Sequence, residues 1–274
     1  MESFVAAAVQ MKSGPDKAAN VAEASARIGE AARQGAQLVA LPEVFAWRGA
    51  HGGERAEAES IPGPTTDAMS AVARRLGIHL VAGSLLEARA PDSEDQRPFN
   101  TTTLFGPDGA LVATYRKIHL FDIDLPGRVT IQESAVRAPG SEVVCATTAL
   151  GRIGLAVCYD LRFPELFRRL ADTGAEVVVM PSAFTRPTGQ AHWETLIRAR
   201  AIENQCFFLA PNQHGVGAAG FADYGNSLVV DPWGVVLARG GDDDSEVVSA
   251  RLDAEVIDRV RRELPSLTHR RLAG

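Results

Sequence analysis

Three side chains able to do covalent and proton-transfer chemistry each close an apolar run in this sequence. Cys158 ends Ile153-Gly-Leu-Ala-Val157, Glu43 ends Leu38-Val-Ala-Leu-Pro42, and Lys117 follows Leu111–Tyr115 in the segment YRKIH. A cysteine attacks carbonyl carbon as its thiolate, a carboxylate can take the thiol proton, and an ammonium can hold the negative charge that develops on oxygen. Short continuous apolar runs mark strands buried on both faces. Ligand sites in sheet-and-helix folds gather beyond strand ends, so three reactive groups at strand ends could converge. Each residue alone also has a plainer explanation. Free cysteine is commonly inert core, a glutamate after proline is commonly a surface turn, and a lysine after a strand commonly guards an edge. It is the three together that point to chemistry.

The elements that would position them follow from hydrophobic period and punctuation. Phe4–Gln10 reads as a strand. Residues 16–34 carry Val21, Ala24, Ile28 and Ala31 at helical spacing before Gly35. A second helix starts near Thr65-Thr66, buries Met69, Val72 and Leu76, and stops at Gly77. Strand Ile78–Ala82 follows, then a polar excursion at 88–98 and a hairpin of Thr101–Phe105 with Leu111–Tyr115 around Pro107-Asp108-Gly109. Pro164 is placed to open a helix after Cys158, which would aim a helix N-terminus at the thiol. Helix 190–204 buries Trp193, Leu196, Ile197 and Ala201, strand Cys206–Ala210 follows, and a last helix spans 254–263 before a basic tail, 265–274.

The second half repeats the plan of the first. GAQLVALP at 35–42 is echoed by GAEVVVMP at 174–181, and Asn100…Pro107-x-Gly109 by Asn226…Pro232-x-Gly234. The predicted fold class is therefore α/β, with two pseudo-repeated halves. Each half offers a sheet covered by helices on one side, and the two bury their remaining faces against each other as a four-layer sandwich. That arrangement makes residues 1–274 one domain.

Composition sets bounds. The 274 residues are 46% hydrophobic and carry a net charge of −6, with the basic residues dispersed, which argues against a nucleic-acid or anionic-membrane partner. The N-terminus has neither a basic start nor a cleavage site, so a cytoplasmic location is expected. Three cysteines, at 145, 158 and 206, form no C-x-x-C, and six histidines show no ligand spacing, so no metal is expected. Asn100-Thr101-Thr102 matches a glycosylation sequon and reads as coincidence without a secretion signal.

Glu43 in LPE, Lys117 in YRKIHLFD and Cys158 in GLAVCYDLRFPEL resemble, in order, the Glu–Lys–Cys triad of the nitrilase superfamily of carbon–nitrogen hydrolases. The likeness covers essentially the whole chain. IQES around Glu133, PSAFT at 181–185, TGQAHWE at 188–194, RARAIENQ at 198–205 and DPWG at 231–234 resemble the amidase branch of deaminated glutathione amidases and omega-amidases. The resemblance implies an α-β-β-α sandwich, no cofactor, a small-molecule amide substrate and a homodimer or larger homo-oligomer. It further implies that Glu43 takes the Cys158 proton while Lys117 favours the thiolate, and that the thiolate attacks an amide carbonyl. The oxyanion is then held by Lys117 and the backbone N–H of Tyr159. Glu43 protonates departing ammonia and later activates the water that hydrolyses the thioester. Glu133 resembles a second family glutamate that orients Lys117; its plainer reading is a surface carboxylate.

The same resemblance offers Arg162 or Arg186 for a substrate carboxylate, and Phe184, Thr185 and His192 as pocket walls. VCYDLRFPEL, PSAFT and RARAIENQC lean to deaminated glutathione as substrate, HLFDID to omega-amides, and the superfamily also cleaves nitriles and carbamoyl amines. Other classes fit the residues less well. A non-catalytic interaction module is disfavoured because all three triad positions are filled. A dinucleotide binder is prompted by Gly215-Val-Gly-Ala-Ala-Gly220, but no helix follows to receive a pyrophosphate, and a flexible loop near the pocket is expected there instead. A serine hydrolase lacks its G-x-S-x-G.

Overall fold

The computed structural model describes residues 1–127, 129–217 and 220–272. The first half runs β1 (Phe4–Gln10), α1 (Lys17–Arg33), β2 (Leu38–Ala40), the single turn α2 (Glu54–Glu57), α3 (Pro64–Leu76), β3 (His79–Glu87), β4 (Phe99–Phe105) and β5 (Leu111–Arg116). A small hairpin of β6 (Asp122–Leu125) and β7 (Val129–Gln132) follows. The second half runs β8 (Cys145–Thr148), β9 (Gly151–Leu155), α4 (Pro164–Asp172), β10 (Val177–Val179), α5 (Arg186–Asn204) and β11 (Phe207–Ala210). It continues through a ribbon of β12 (His214–Val216) and β13 (Ala222–Tyr224) to β14 (Leu228–Val230) and β15 (Val236–Arg239). The chain then returns as β16 (Glu246–Leu252) and α6 (Ala254–Glu263).

Two six-stranded sheets result, in the orders β16-β1-β2-β3-β4-β5 and β15-β14-β11-β10-β9-β8. In each, three parallel strands are flanked by antiparallel ones: β1, β2 and β3 correspond to β9, β10 and β11, then β4 and β5 to β14 and β15. The echoed segments thus form the central strands β2 and β10. The sixth position differs between halves. In the second sheet a hairpin supplies β8, whereas in the first the chain's last strand does, pairing from Phe4↔Leu252 to Gln10↔Glu246.

Side chains alternate across each strand and so serve two layers. Ala7, Val9, Val39 and Leu80 face outward, where α1 and α3 cover them with Ala24, Ile28, Ala31, Met69 and Val72. Ala6, Ala8, Leu38, Ala40 and Val81 face inward and join the core of the second sheet, which α4 and α5 cover with Leu166, Phe167, Leu170, Trp193 and Ile197. Each large side chain so buried contributes roughly 1.5–3 kcal/mol. This is the four-layer sandwich expected from the repeat.

Local differences have local causes. Helix α5 begins at Arg186, earlier than the expected 190, because Pro187 in the first turn lacks only an N–H that would be unpaired there. Gly189 is a packing residue within it: a Cβ would sit 2.3 Å from the Tyr224 ring. The segment expected to be a loop at 214–225 is instead the β12–β13 ribbon, with Ala218 and Ala219 outside the described residues. The basic tail folds back on its own chain, where Arg270 pairs with Asp172 of α4; Ala273 and Gly274 lie outside the described residues. Among the described residues, no helix is long and apolar enough to cross a membrane.

Candidate active site

Glu43 leaves the end of β2 on a backbone that the two halves hold jointly. Its N–H donates to Ser182 O (3.3 Å), its carbonyl accepts from Gln213 Nε2 (2.9 Å), and its Oε2 accepts from Ala183 N–H (2.9 Å). Val44, with φ of 48°, donates its N–H to Ser84 Oγ (2.9 Å). That contact needs Gly83, where a β-bulge brings β3 so close that a Cβ would lie 2.1 Å from Pro42 O. Pro42 and Pro181 stand at corresponding ends of the central strands, so the pseudo-symmetry itself brings Glu43 beside Ser182-Ala183.

Lys117 extends β5 by one residue, its N–H bonded to Asn100 O (2.9 Å). The side chain is 1% exposed, and Nζ donates to Glu43 Oε1 (2.9 Å) and Glu133 Oε2 (2.8 Å). Glu133 sits on a 3₁₀ turn at Glu133–Ala135 and also accepts from Phe121 N–H (2.7 Å) and Arg137 Nη1 (2.8 Å). Asn100, whose sequon match reads as coincidence, is fully buried and donates from Nδ2 to Glu43 Oε1 (2.8 Å) and Glu133 Oε1 (3.2 Å). Burial alone would lower the Lys117 pKa, but the charges of Glu133 and Glu43 outweigh it and raise it. Burial likewise opposes ionisation of Glu133, yet Lys117 and Arg137 hold its carboxyl down at about 2. Both groups are therefore charged at neutral pH.

Cys158 follows β9 and opens a 3₁₀ turn, Cys158–Arg162, with φ of 47° and its N–H on Pro181 O (2.9 Å). Such a left-handed conformation is uncommon for a residue with a Cβ and sets its side chain at a sharp bend. The turn separates the thiol from α4, so the cysteine does not stand at the N-terminus of that helix. Burial first, and then the Glu43 charge, push the Cys158 thiol well above its ordinary value, with Lys117 and the Ala183 N–H opposing. The expected Lys117-favoured thiolate is thus outweighed, and the resting sulfur is a neutral thiol beside a carboxylate. Cys206, in contrast, is simply buried, its thiol pushed up to about 12 by desolvation.

One carboxylate ties the cysteine bend to the lysine strand. Asp160 is fully buried; its Oδ2 accepts from Val157 N–H (2.8 Å) and Tyr115 O–H (2.7 Å). Its Oδ1 accepts from His119 N–H (3.1 Å) and meets His119 Nδ1 at 2.7 Å. Tyr115 and His119 lie two residues on either side of Lys117, and Val157 directly precedes Cys158.

Glu43, Lys117, Glu133 and Cys158 form the floor of a cavity of about 450 Å³, within the range of small-molecule clefts. Its walls come from the loop after Glu43 (Val44, Trp47, Arg48), from the β6–β7 hairpin with Phe121, and from Thr185 and Phe221. Of the expected pocket walls, Thr185 is there. Phe184 is buried against Trp193 instead (ring centroids 5.0 Å), because residue 184 packs under α5. Arg162 lies over the Tyr159 and Phe184 rings and meets the exposed His192 at 3.3 Å, away from the cavity. Arg186 pairs with Asp243 on the outside. The Tyr159 ring packs on Phe121 and Phe163, and Tyr159 does not line the cavity. Arg48, paired with the buried Asp223 of β13, and Arg137 were not foreseen from sequence.

A buried thiol, carboxylate and ammonium in one small cleft are the parts needed to transfer an acyl group from nitrogen to sulfur and then to water. The sequence pattern of the carbon-nitrogen hydrolase family matches residues 5–262. The chain is a carbon–nitrogen hydrolase. It lies in the amidase branch of the nitrilase superfamily. The chain is 40% identical over 271 residues to omega-amidase NIT2 of Danio rerio, covering 99% of this chain and 96% of that one. It is 39% identical over 272 residues to a deaminated glutathione amidase of Synechocystis sp., covering 98% and 99%. The NitFhit protein of C. elegans superposes with a TM-score of 0.91 at 37% identity, covering 99% of this hydrolase, which spans 66% of that longer chain.

Proposed function

We propose that this carbon–nitrogen hydrolase is a cysteine amidase acting on the side amide of a small carboxylate or keto acid through a thioester on Cys158. The observation that carries the proposal is the enclosure of Cys158, Glu43 and Lys117 on the floor of one small-molecule cavity. Glu43 takes the thiol proton as sulfur bonds to the amide carbon and the C=O electron pair moves onto oxygen. Since the resting thiol is neutral, proton transfer accompanies attack. Lys117, kept charged by its two glutamates, and the Tyr159 N–H receive the oxyanion, each such donor being worth roughly 2.7–4 kcal/mol. Collapse breaks the C–N bond, and the leaving nitrogen takes the proton from Glu43. Water then gives a proton to Glu43 and attacks the thioester. Expelled sulfur regains that proton, so amide and water become acid and ammonia or amine. Glu133 holds Lys117 in place.

The favoured substrate type is deaminated glutathione, whose amide would leave as a primary amine. The omega-amide reading has nearly equal support from the 40% and 39% identities of the two kinds of relative. Incubation with each, followed by intact-protein mass spectrometry and assays for ammonia and for free amine, separates the two. Cys158→Ala should carry no acyl adduct and release neither product; activity in a pure sample of it sinks the nucleophile assignment. Glu43→Gln should give no burst.

We propose further that residues 1–274 act as one domain, in the cytoplasm and as a homodimer or larger assembly. Ile202 packs beside Gly234 in an exposed apolar group with Trp233 and Val235, which supports an interface. A monomer in sedimentation at micromolar concentration would refute the last point.

A further inference from the structure

One ion pair in the cavity wall stands apart from the cluster around Cys158. Arg48 lines the cavity from the loop after Glu43 and donates both Nη atoms to Asp223, a fully buried carboxylate of β13. The loop has other anchors: Arg48 N–H donates to Gly14 O (2.9 Å), and Asn20 Nδ2 donates to Gly14 O and Ala46 O (both 2.8 Å). The ribbon has its own as well. Tyr224 N–H donates to Phe184 O (2.8 Å), and Asp223 forms a β-bridge with Thr185, which lines the cavity. What the pair adds to these anchors is a matched charge. The guanidinium also lies against Gly217, where a Cβ would be 3.7 Å from its Cζ. The other charged or titratable groups around it are Glu43 and Cys158 on the cavity floor, Glu54 and His51 at the rim, and Lys12, which packs against Gly215 of the ribbon. Burial opposes the Arg48 charge, but the Asp223 carboxylate outweighs it and raises the pKa, with Glu43 and Cys158 adding to the effect. Burial raises the Asp223 carboxyl above its ordinary value, with Arg48 opposing.

We propose that Asp223 is a positioning residue that cancels the Arg48 charge, so that Cys158 rests as a thiol and Glu43 stays able to take its proton. The proposal rests on the amidase reading above for the roles of Cys158 and Glu43. Both Nη atoms of Arg48 are spent on one carboxylate, in the paired geometry that suits a guanidinium. Arg48 therefore meets the cavity as half of a neutral pair. Without Asp223 a bare guanidinium would share a poorly solvated cleft with the sulfur, and a nearby cation favours the thiolate. The same cation would weaken Glu43 as a base. A thiolate at rest is also the form open to oxidation and to any passing electrophile. Asp223 thus guards the nucleophile between turnovers without touching it.

The test is alkylation of Cys158 by iodoacetamide at about pH 8, read by peptide mass spectrometry so that Cys145 and Cys206 are counted apart. The sulfur displaces iodide, so the rate follows the thiolate fraction. Asp223→Asn strands the guanidinium, and the Cys158 rate should rise roughly 3- to 10-fold. Arg48→Gln should bring no such rise, because the buried carboxyl left behind takes up a proton. Arg48→Gln/Asp223→Asn strands no charge and should react within about twofold of the wild type. A folded Asp223→Asn protein reacting no faster than the wild type overturns the proposal. So does a double variant as fast as Asp223→Asn, since loosened packing would then be the cause. Where Asp223→Asn does not fold, the double variant decides alone: a rate more than about threefold above the wild type refutes the charge account. No turnover enters these rates. An unmutated enzyme that releases neither ammonia nor amine from any amide would sink the amidase reading and leave the alkylation result standing.

Discussion

Replacing Asp160 by alanine leaves two buried donors, Val157 N–H and Tyr115 O–H, without an acceptor. The Tyr115 hydroxyl cannot escape by ionising, since burial, the largest cause of its raised pKa, persists when the Asp160 charge is removed. At roughly 1–3 kcal/mol for each buried donor left unmade, the loss of stability is about 2–6 kcal/mol. For a chain of this size that corresponds to a fall in melting temperature on the order of 10 °C. Activity should fall for a separate reason. The Val157 contact holds the bend in which Cys158 adopts φ of 47°, and displacement of a reacting atom by about 1 Å costs on the order of 100-fold in rate. Since Asp160 does not line the cavity, the deficit should appear in kcat and leave KM nearly unchanged. Asp160→Asn keeps one oxygen for Val157 and Tyr115 but turns an NH₂ toward His119 N–H, so it should lose only roughly 1–3 kcal/mol and retain more turnover than alanine. Calorimetric melting and initial-rate ammonia release would measure both effects. An alanine variant melting within about 2 °C of the wild type, or keeping its kcat, refutes the reasoning.

Gly83→Ala would place a methyl 2.1 Å from Pro42 O, forcing the Leu41–Glu43 backbone to move; we expect a loss of roughly 1–3 kcal/mol with lower kcat, and an unaltered enzyme would show that the bulge does not position Glu43. Glu133 is held at about 2 against 4.5 for the free group, so its contribution is complete above pH 4.5 and is lost as pH falls toward 2. The stability gap between wild type and Glu133→Gln should close across that window, and a constant gap from neutral pH to 2 contradicts the ion pairing. The ultraviolet difference titration of wild type against Cys158→Ala should show no thiolate up to pH 9.0, the ordinary value for cysteine; a step below it would mean that Lys117 outweighs burial and Glu43.

The elements that could be read from sequence were those whose signals are local. The helix over 254–263 has its capping Asp253 at one end and Pro265 beyond the other, and it appears with those bounds. The two GAxxVxxP segments share apolar run, glycine and proline, and they became equivalent strands. Glu43, Lys117 and Cys158 stood out because each interrupts an apolar stretch with a reactive group. Asn100 and Asp160 gave no such signal, for an amide and a carboxylate are common at turns and their partners here lie on distant strands. Arg48 was hidden for the same reason: Asp223 is 175 residues away. The arginines and the aromatic expected at the cavity lie outside its lining because of side-chain direction. Arg162 is close to Cys158 in sequence and Phe184 follows Ala183, which bonds Glu43, yet the 3₁₀ turn and the packing of Trp193 aim them elsewhere.

The strand that completes the amino-terminal sheet is made more than 200 residues after the strand it borders. Until Glu246–Leu252 emerges, the long flank of Phe4–Gln10 has open amide and carbonyl groups and nothing beside it. Such a flank invites strand addition from other chains. A nascent or truncated polypeptide ending before that point would therefore carry a sticky border, and its natural stopper is a strand from a distant part of the same chain.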